Sequence, residues 1–363
     1  MKSNFDFLNR YWPALAQIGA TAETYVYSDP NACIYKLGMF AERLVQEILV
    51  FEHIAEPAVD NTHANRIRIL KRAGLLPHEI DNTLYVLRKT RNSAVHIGTD
   101  SVDEAKTLLS LTYNLAVWFM ETYGDWGYIA PEFVMPSETT HEDLESVIAE
   151  QERKIEELTN QLAVVKTAAS GKTQKERARR SESVSAMMNW NEAQTRCLID
   201  EQLRLSGWEA DTQNLRYSKG TRPVKGRNIA ISEWPTNSAF YKNGYADYAF
   251  FVGEKLVALM DAKKMSEDVA STIDVQVKDY AAHIKPEDIP HTVGNWNGYQ
   301  VPFLFASNGR AYLEQLRTKS GIWFLDVREQ ENQPYPIRNW FSPSDLMEKL
   351  GQNTAAANQA LAA

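Results

Sequence analysis

Asp247, Asp261 and Lys263 are the residues of this chain whose types and spacing best suit bond-breaking chemistry. They lie in the stretch 244–263, two apolar runs joined by Gly253-Glu254, the first carrying a single acid and the second ending in Asp-x-Lys. Residues two apart on a strand share a face, so Asp261 and Lys263 project together while Met260 and Ala262 turn into the packing. If the runs pair as a hairpin, Asp247 meets them from the neighbouring strand. Two hard carboxylate oxygens beside an amine suit Mg²⁺ held by few protein ligands, with water and phosphate completing the shell. That set hydrolyses a phosphodiester: the metal polarises phosphate and water, and the lysine orients or deprotonates the attacking water. The pattern alone is loose, and a surface ion pair would spell the same letters.

Three neighbouring features bear on the choice. Gln276 and Tyr280 fall four apart in a helical run after the second strand, so amide and phenol share a helix face. Either they support the site or they are an ordinary exposed face. Upstream, Leu198, Ile199, Leu203 and Leu205 give a helix an apolar side that Gly207 ends. Glu192 in its first turn is a candidate for the metal site, or a solvated acid favoured by the helix dipole. Between them, the block 216–227 holds five basic residues and no acid, with Lys219, Arg222, Lys225 and Arg227 among them. Its glycines allow close backbone approach to phosphate and its cations offer counter-charge for a polyanion. Glu233 is a third acid near the hairpin, for which a strand-end salt bridge is the simpler reading.

These residues must be carried by strands and helices in a definite order. Residues 229–234, 301–306 and 322–327 read as further strands, so residues 185–342 form an α/β domain with a mixed sheet flanked by helices. Residues 1–135 read as helices from the near-helical spacing of Met39, Leu44, Ile48 and Phe51 and of Leu108, Leu111, Leu115, Trp118 and Phe119. Between the domains, 136–184 form a linker. Leu144, Ile148, Gln151, Ile155, Leu158, Leu162 and Val165 trace an a/d seam roughly 33 Å long at 1.5 Å per residue. Dimerisation, packing on the helical domain and service as a spacer all fit this coiled coil, and a spacer suits its short length best. The basic stretch Lys172–Arg180 behind it reads as a frayed hinge, and 343–363 as a C-terminal helix and tail.

Within the helical part, Arg91 and His96, with Asn92 between, form an Arg-x4-His pattern that resembles the HEPN helical superfamily. Some members of that superfamily cleave RNA without metal, which makes Arg91 and His96 an alternative ribonuclease site. A buried polar cluster tying helices together, with Glu42 as partner, is the favoured reading of the same residues.

The hairpin acids and lysine together resemble the active site of PD-(D/E)XK nucleases, and the Gln-x-x-x-Tyr pair resembles their RecB-like branch. From Glu192 to about Trp340 the chain resembles the nuclease domain of the restriction (R) subunit of type I restriction-modification enzymes. The resemblance rests on Glu192–Arg196, Ile231-Ser-Glu233-Trp234, Gly244–Tyr248, Asp261-Ala-Lys263, Ser307–Arg310 and Thr318–Trp323. The opening Ser3–Leu8, with Ala22-Glu23 and Asp29-Pro30, is similar to the helical extension of such subunits. The resemblance implies a Mg²⁺-dependent deoxyribonuclease acting on double-stranded DNA with methyltransferase and specificity subunits. Most members of that family carry Glu where this chain has Asp261. R subunits continue into an ATP-driven motor, and no motor motif stands here. Ser170-Gly-Lys-Thr173 lacks the required earlier glycine, Lys166 occupying that position, so an ATP site is excluded and the chain reads as truncated before the motor.

Composition bounds the remainder. Hydrophobic content of 44% and nine tryptophans supply cores for two or three domains and exclude global disorder. Cys33 and Cys197 build neither a disulfide framework nor a metal cluster. No signal peptide or membrane-spanning apolar run is present, so a cytoplasmic protein is expected. A net charge of −8 confines any DNA contact to a local surface.

Overall fold

A computed structural model of the chain describes residues 3–56, 60–96, 101–138, 148, 150–155, 167–188, 190–238, 244–265, 267, 269–310, 312, 314 and 317–352, excepting the side chains of 93–96 and 270. Two compact units divide the chain, residues 1–188 and 189–363.

The first unit is helical: α1 (Pro13–Tyr25), α2 (Pro30–Phe51), α3 (His63–Arg72), α4 (His78–His96), α5 (Val102–Tyr123) and α6 (Gln174–Met187). Local chemistry sets its boundaries. Asp29 accepts from the Ala32 amide at the start of α2 with Pro30 behind it, and Ser101 caps α5 through Glu104 N–H. Trp12, Phe40, Trp118, Phe119 and Tyr123 fill the core, with α2 packed against α1, α4 and α5.

The frayed hinge expected at Lys172–Arg180 is a folded part of this unit. Thr173 and Glu176 form a capping box at the head of α6. Arg177 is buried and grips Glu52 with two bonds of 2.7 and 2.6 Å, while Trp118 Nε1 donates to Ser181. The run looks solvated in sequence because its partner is far off in the chain. Of the proposed a/d seam, Leu144, Leu158, Leu162 and Val165 lie outside the described residues. The helical residues 150–155 rest on the helical unit, with Ile155 buried, Lys36 paired to Glu152 at 2.6 Å and Thr24 donating to Gln151. Packing on the helices replaces the free spacer over that stretch.

The second unit opens with α7 (Glu192–Leu205), where Asn191 and Gln194 form a capping box. Among the described residues seven strands follow in one sheet whose spatial order is the chain order: β1 (Glu209–Ala210), β2 (Asn228–Pro235), β3 (Tyr245–Val252), β4 (Lys255–Ala262), β5 (Phe303–Ser307), β6 (Ile322–Asp326) and β7 (Tyr335–Pro336). The β1–β2 and β4–β5 pairs are parallel and the others antiparallel, so the sheet is mixed. Gly253, at φ +61°, makes the two-residue turn between β3 and β4 that a Cβ would strain. Between β4 and β5 runs α8, a helical segment made of Ala270–Thr272, a π-helical turn Ile273–Val277 and Lys278–Ala282. The last helix among the described residues, α9 (Pro343–Gly351), places Leu346 in the core of this unit.

Both sheet faces are covered, which explains why the central strands read as almost unbroken apolar runs. One face packs Ile231, Trp234 and Leu259 against Ile273, Val277 and Tyr280 of α8. The other packs Tyr248, Phe250, Met260 and Phe305 against Ile199 and Leu203 of α7 and against Trp340. Met260 and Ala262 belong to the α7 side, so the strand's alternation leaves Asp261 between them on the α8 side.

Candidate active site

Asp261 is buried near the end of β4, beyond which Lys263 leaves the strand while its amide still donates to Ser307 O of β5 at 2.8 Å. Lys263 Nζ lies 2.6 Å from Asp261 Oδ2 and donates to Gln276 Oε1 at 2.9 Å. The same amide's Nε2 donates to Asp261 Oδ1 at 3.0 Å and to Tyr280 Oη at 2.7 Å. Asp261, Lys263 and Gln276 thus form a closed ring of polar contacts, and Tyr280 extends it from Gln276. Gln276 projects from the π turn, an element that occurs frequently at functional sites. Asp261 is only 4% exposed, and its Oδ2 makes no hydrogen bond besides the ion-pair contact with Lys263.

Asp247 approaches from β3. Its Oδ2 accepts the Ala262 amide at 2.6 Å, fixing it beside the end of β4, and its Oδ1 pairs with Arg196 of α7. Burial pushes the Asp247 carboxyl up to about 7, against the pull of Arg196, with the Asp261 charge adding to the rise. Burial likewise raises Asp261 against the pull of Lys263. Burial also opposes charge on Lys263, but the Asp261 and Asp247 carboxylates overcome it and hold the ammonium above its usual range. The site is therefore a desolvated pair of acids, each matched by one cation, Asp247 by Arg196 and Asp261 by Lys263.

Two further acids sit around Arg196. Glu192, half exposed at the first position of α7, pairs with Arg196 at 2.6 Å and reaches the site through that residue. Glu233 lies 3.6 Å from Arg196 and also pairs with Arg216. It stands in β2 at φ +55°, flanked by the Ser232–Tyr248 and Trp234–Ala246 pairs and hence opposite Asp247. A glutamate in the left-handed region inside a strand is held there by its surroundings. Sequence reasoning gave Arg196 no role. Its one local signal is the four-residue spacing from Glu192, and its contacts to Asp247 and Glu233 are long-range.

The basic block divides. Lys219, Arg222, Lys225 and Arg227 are all exposed. Arg227 is committed to Glu209 of β1. Arg222 lies 3.7 Å over the Tyr217 ring and donates to the Tyr217 and Thr221 carbonyls. Among the described residues Lys219 and Lys225 make no ion pair. In the helical unit, Arg91 pairs with Glu42, which also binds Arg66 at 3.1 Å, and sits over the Tyr35 ring. The His96 side chain lies outside the described residues.

Among the described residues no group of three His, Cys, Asp or Glu is gathered to hold a metal ion. Asp247 and Asp261 are a pair of hard oxygen donors, so they fit a cation that keeps most of its shell as water or phosphate and do not fit a full protein cage. The buried Oδ2 of Asp261, which meets the Lys263 ammonium at 2.6 Å and makes no further hydrogen bond, is an oxygen with acceptor capacity left for one.

A mixed α/β sheet with this acid pair at the end of a central hairpin defines a class of protein that the comparisons make specific. Residues 209–350 match the family described as the Type I restriction enzyme EcoKI endonuclease subunit second domain. Over a 432-residue alignment the chain is 29% identical to the Type I restriction enzyme EcoKI endonuclease subunit of Escherichia coli (strain K12), covering 99% of this chain and 37% of that protein. The chain is thus similar over nearly its whole length to a type I restriction endonuclease subunit, as its motifs imply, and spans a little over a third of the length of that curated protein. No solved structure matches it. Among the described residues no helix is long and apolar enough to cross a membrane.

Proposed function

We propose that residues 189–352 form a PD-(D/E)XK-type nuclease site that cleaves double-stranded DNA, serving with methyltransferase and specificity subunits in a restriction-modification complex. The observation that carries this reading is the closed contact ring Asp261–Lys263–Gln276, extended by Tyr280, with Asp247 beside it. Asp247 and Asp261 would hold Mg²⁺, which when bound supplies Lewis-acid polarisation of the phosphate and a more acidic water. Lys263 holds the attacking water by hydrogen bonding and stabilises negative charge as it develops on the phosphate. Gln276 fixes Lys263 and Asp261 relative to one another, and Tyr280 fixes Gln276. Lys219, Arg222 and Lys225 supply local counter-charge for the DNA backbone. The relation to type I endonuclease subunits supports the same reading. No observation favours the alternative metal-free ribonuclease, because Arg91 is engaged by Glu42 within the helical unit.

Plasmid nicking by the purified chain, with Mg²⁺ and with EDTA, tests the proposal. Asp261→Ala and Lys263→Ala should each lower Mg²⁺-dependent nicking by roughly 10²–10⁴-fold, the usual worth of a positioned catalytic group. Asp261→Ala should also weaken Mg²⁺ binding, whereas Lys263→Ala should not. Wild-type rates in both variants would sink the nuclease reading and leave a non-catalytic docking module.

A further inference from the structure

The acid that the proposed function gives to Mg²⁺ already has a cation. Arg196 Nη2 is shared between Asp247 Oδ1 and Glu192 Oε1, and Nη1 lies 3.6 Å from Glu233 Oε1. The Arg196 side chain is 17% exposed and that of Asp247 12%, so little water screens their charges. In such surroundings a guanidinium and a divalent cation cannot share one carboxylate without strong mutual repulsion. The guanidinium is also incompletely anchored, since its Nε is buried without a hydrogen-bond partner. Glu233, whose carboxylate already takes Arg216 and can accept a second guanidinium, offers it another seat. That residue is held at φ +55° directly across from Asp247, with its carboxylate already within ion-pair range of Arg196.

We propose that Arg196 is the resident counter-ion of the cation site. It neutralises Asp247 while the metal is absent, competes with the metal for that carboxylate, and passes to Glu233 and Glu192 when the metal binds. Arg196 is therefore a positioning residue that sets metal affinity, and the left-handed backbone of Glu233 serves to keep the second seat in reach. This inference rests on the metal-dependent reading above.

Calorimetric titration of Mg²⁺ alone, without DNA, into the whole chain tests it, alongside thermal melts in EDTA and in Mg²⁺. Arg196→Gln should bind Mg²⁺ about tenfold more tightly than wild type, a typical coupling between competing ligands. It should melt at lower temperature in EDTA and recover on adding Mg²⁺, because either cation can neutralise Asp247. Glu233→Gln should weaken Mg²⁺ binding several-fold by confining Arg196 to Asp247. In the double variant that weakening should vanish, since Glu233 acts through Arg196. If Arg196→Gln unfolds in EDTA, refolding on Mg²⁺ supports the proposal, and failure to refold overturns it. Equal or weaker Mg²⁺ binding by Arg196→Gln overturns it too, as does a Glu233→Gln effect that persists undiminished in the double variant. Asp261→Ala separates the two levels of argument. If it abolishes Mg²⁺ binding while Arg196→Gln changes nothing, only the counter-ion role fails; if it binds Mg²⁺ like wild type, the metal reading fails as well.

Discussion

Gln276 is asked to satisfy three groups with one amide: its oxygen takes the Lys263 ammonium, and its nitrogen serves both Asp261 and Tyr280. Each of these is partly or wholly removed from water, so deleting the amide leaves donors and acceptors that cannot be resolvated cheaply. Gln276→Ala should therefore lower the single-turnover nicking rate at saturating Mg²⁺ by roughly 10–100-fold, within the range of positioning effects. Tyr280→Phe, which removes only the far end of the chain, should cost much less. Proton linkage gives a second expectation at this scale. The Asp247 carboxyl is raised to about 7 from the ordinary carboxylate value, so the folded protein holds that proton more tightly than the unfolded chain. The sign follows: without metal, this group's contribution to stability is full below about pH 4 and is lost as pH rises towards 7. Metal binding requires the deprotonated acid, so Mg²⁺ affinity should rise over the same interval and level off above it. Mg²⁺ titrations at stepped pH check this, and affinity that is flat from pH 5.5 to 8 would contradict it.

Elements differ in how much of their role is local, and legibility in the sequence follows that difference. The β3–β4 hairpin is written in adjacent residues: two almost unbroken apolar runs, a Gly-Glu turn and the Asp261-x-Lys263 ending, so both its strands and its acids are legible. The Gln276–Tyr280 contact is legible for the same reason, although nothing in the letters announces the π turn beneath it. The two-residue strands β1 and β7 are too short to show any periodicity. Arg196 contacts Asp247 across 51 positions and Arg177 contacts Glu52 across 125, and no local pattern encodes either pairing. The second case turned a buried helix into an apparent hinge. Its energetics can be tested directly. Arg177→Ala strands the Glu52 carboxylate, whose side chain is 1% exposed, and should destabilise the helical unit by about 3–5 kcal/mol, as breaking a buried pair from one side does. Hydrogen exchange should show amides of α2 and α6 opening sooner, with the β-sheet amides unaffected. Unchanged protection of α6 would restore the hinge reading.

At the scale of the whole molecule, charge decides how a polyanion can be met. A chain of net charge −8 repels DNA on average, so binding depends on where cations are uncommitted. Most of the arginines around the sheet are spent on carboxylates: Arg196 on Asp247, Arg216 on Glu233 and Arg227 on Glu209. Lys219 and Lys225 are exposed in the loop that leads to β2, with no ion pair among the described residues, and Arg222 is spread over Tyr217 beside them. Contacts of this kind reach phosphates and carry no sequence information. Affinity should therefore be weak, indifferent to sequence and steeply dependent on salt. Each phosphate contact contributes about 0.9 to the slope of log affinity against log salt on duplex DNA, so Lys219→Ala with Lys225→Ala should flatten it by nearly two. Arg227→Ala should change it far less, because that charge is already neutralised by Glu209. Fluorescence anisotropy with two unrelated duplexes over a salt series measures both effects. A double variant that keeps the wild-type slope would remove the loop from the DNA contact, because an acidic protein has few other places from which to release counterions.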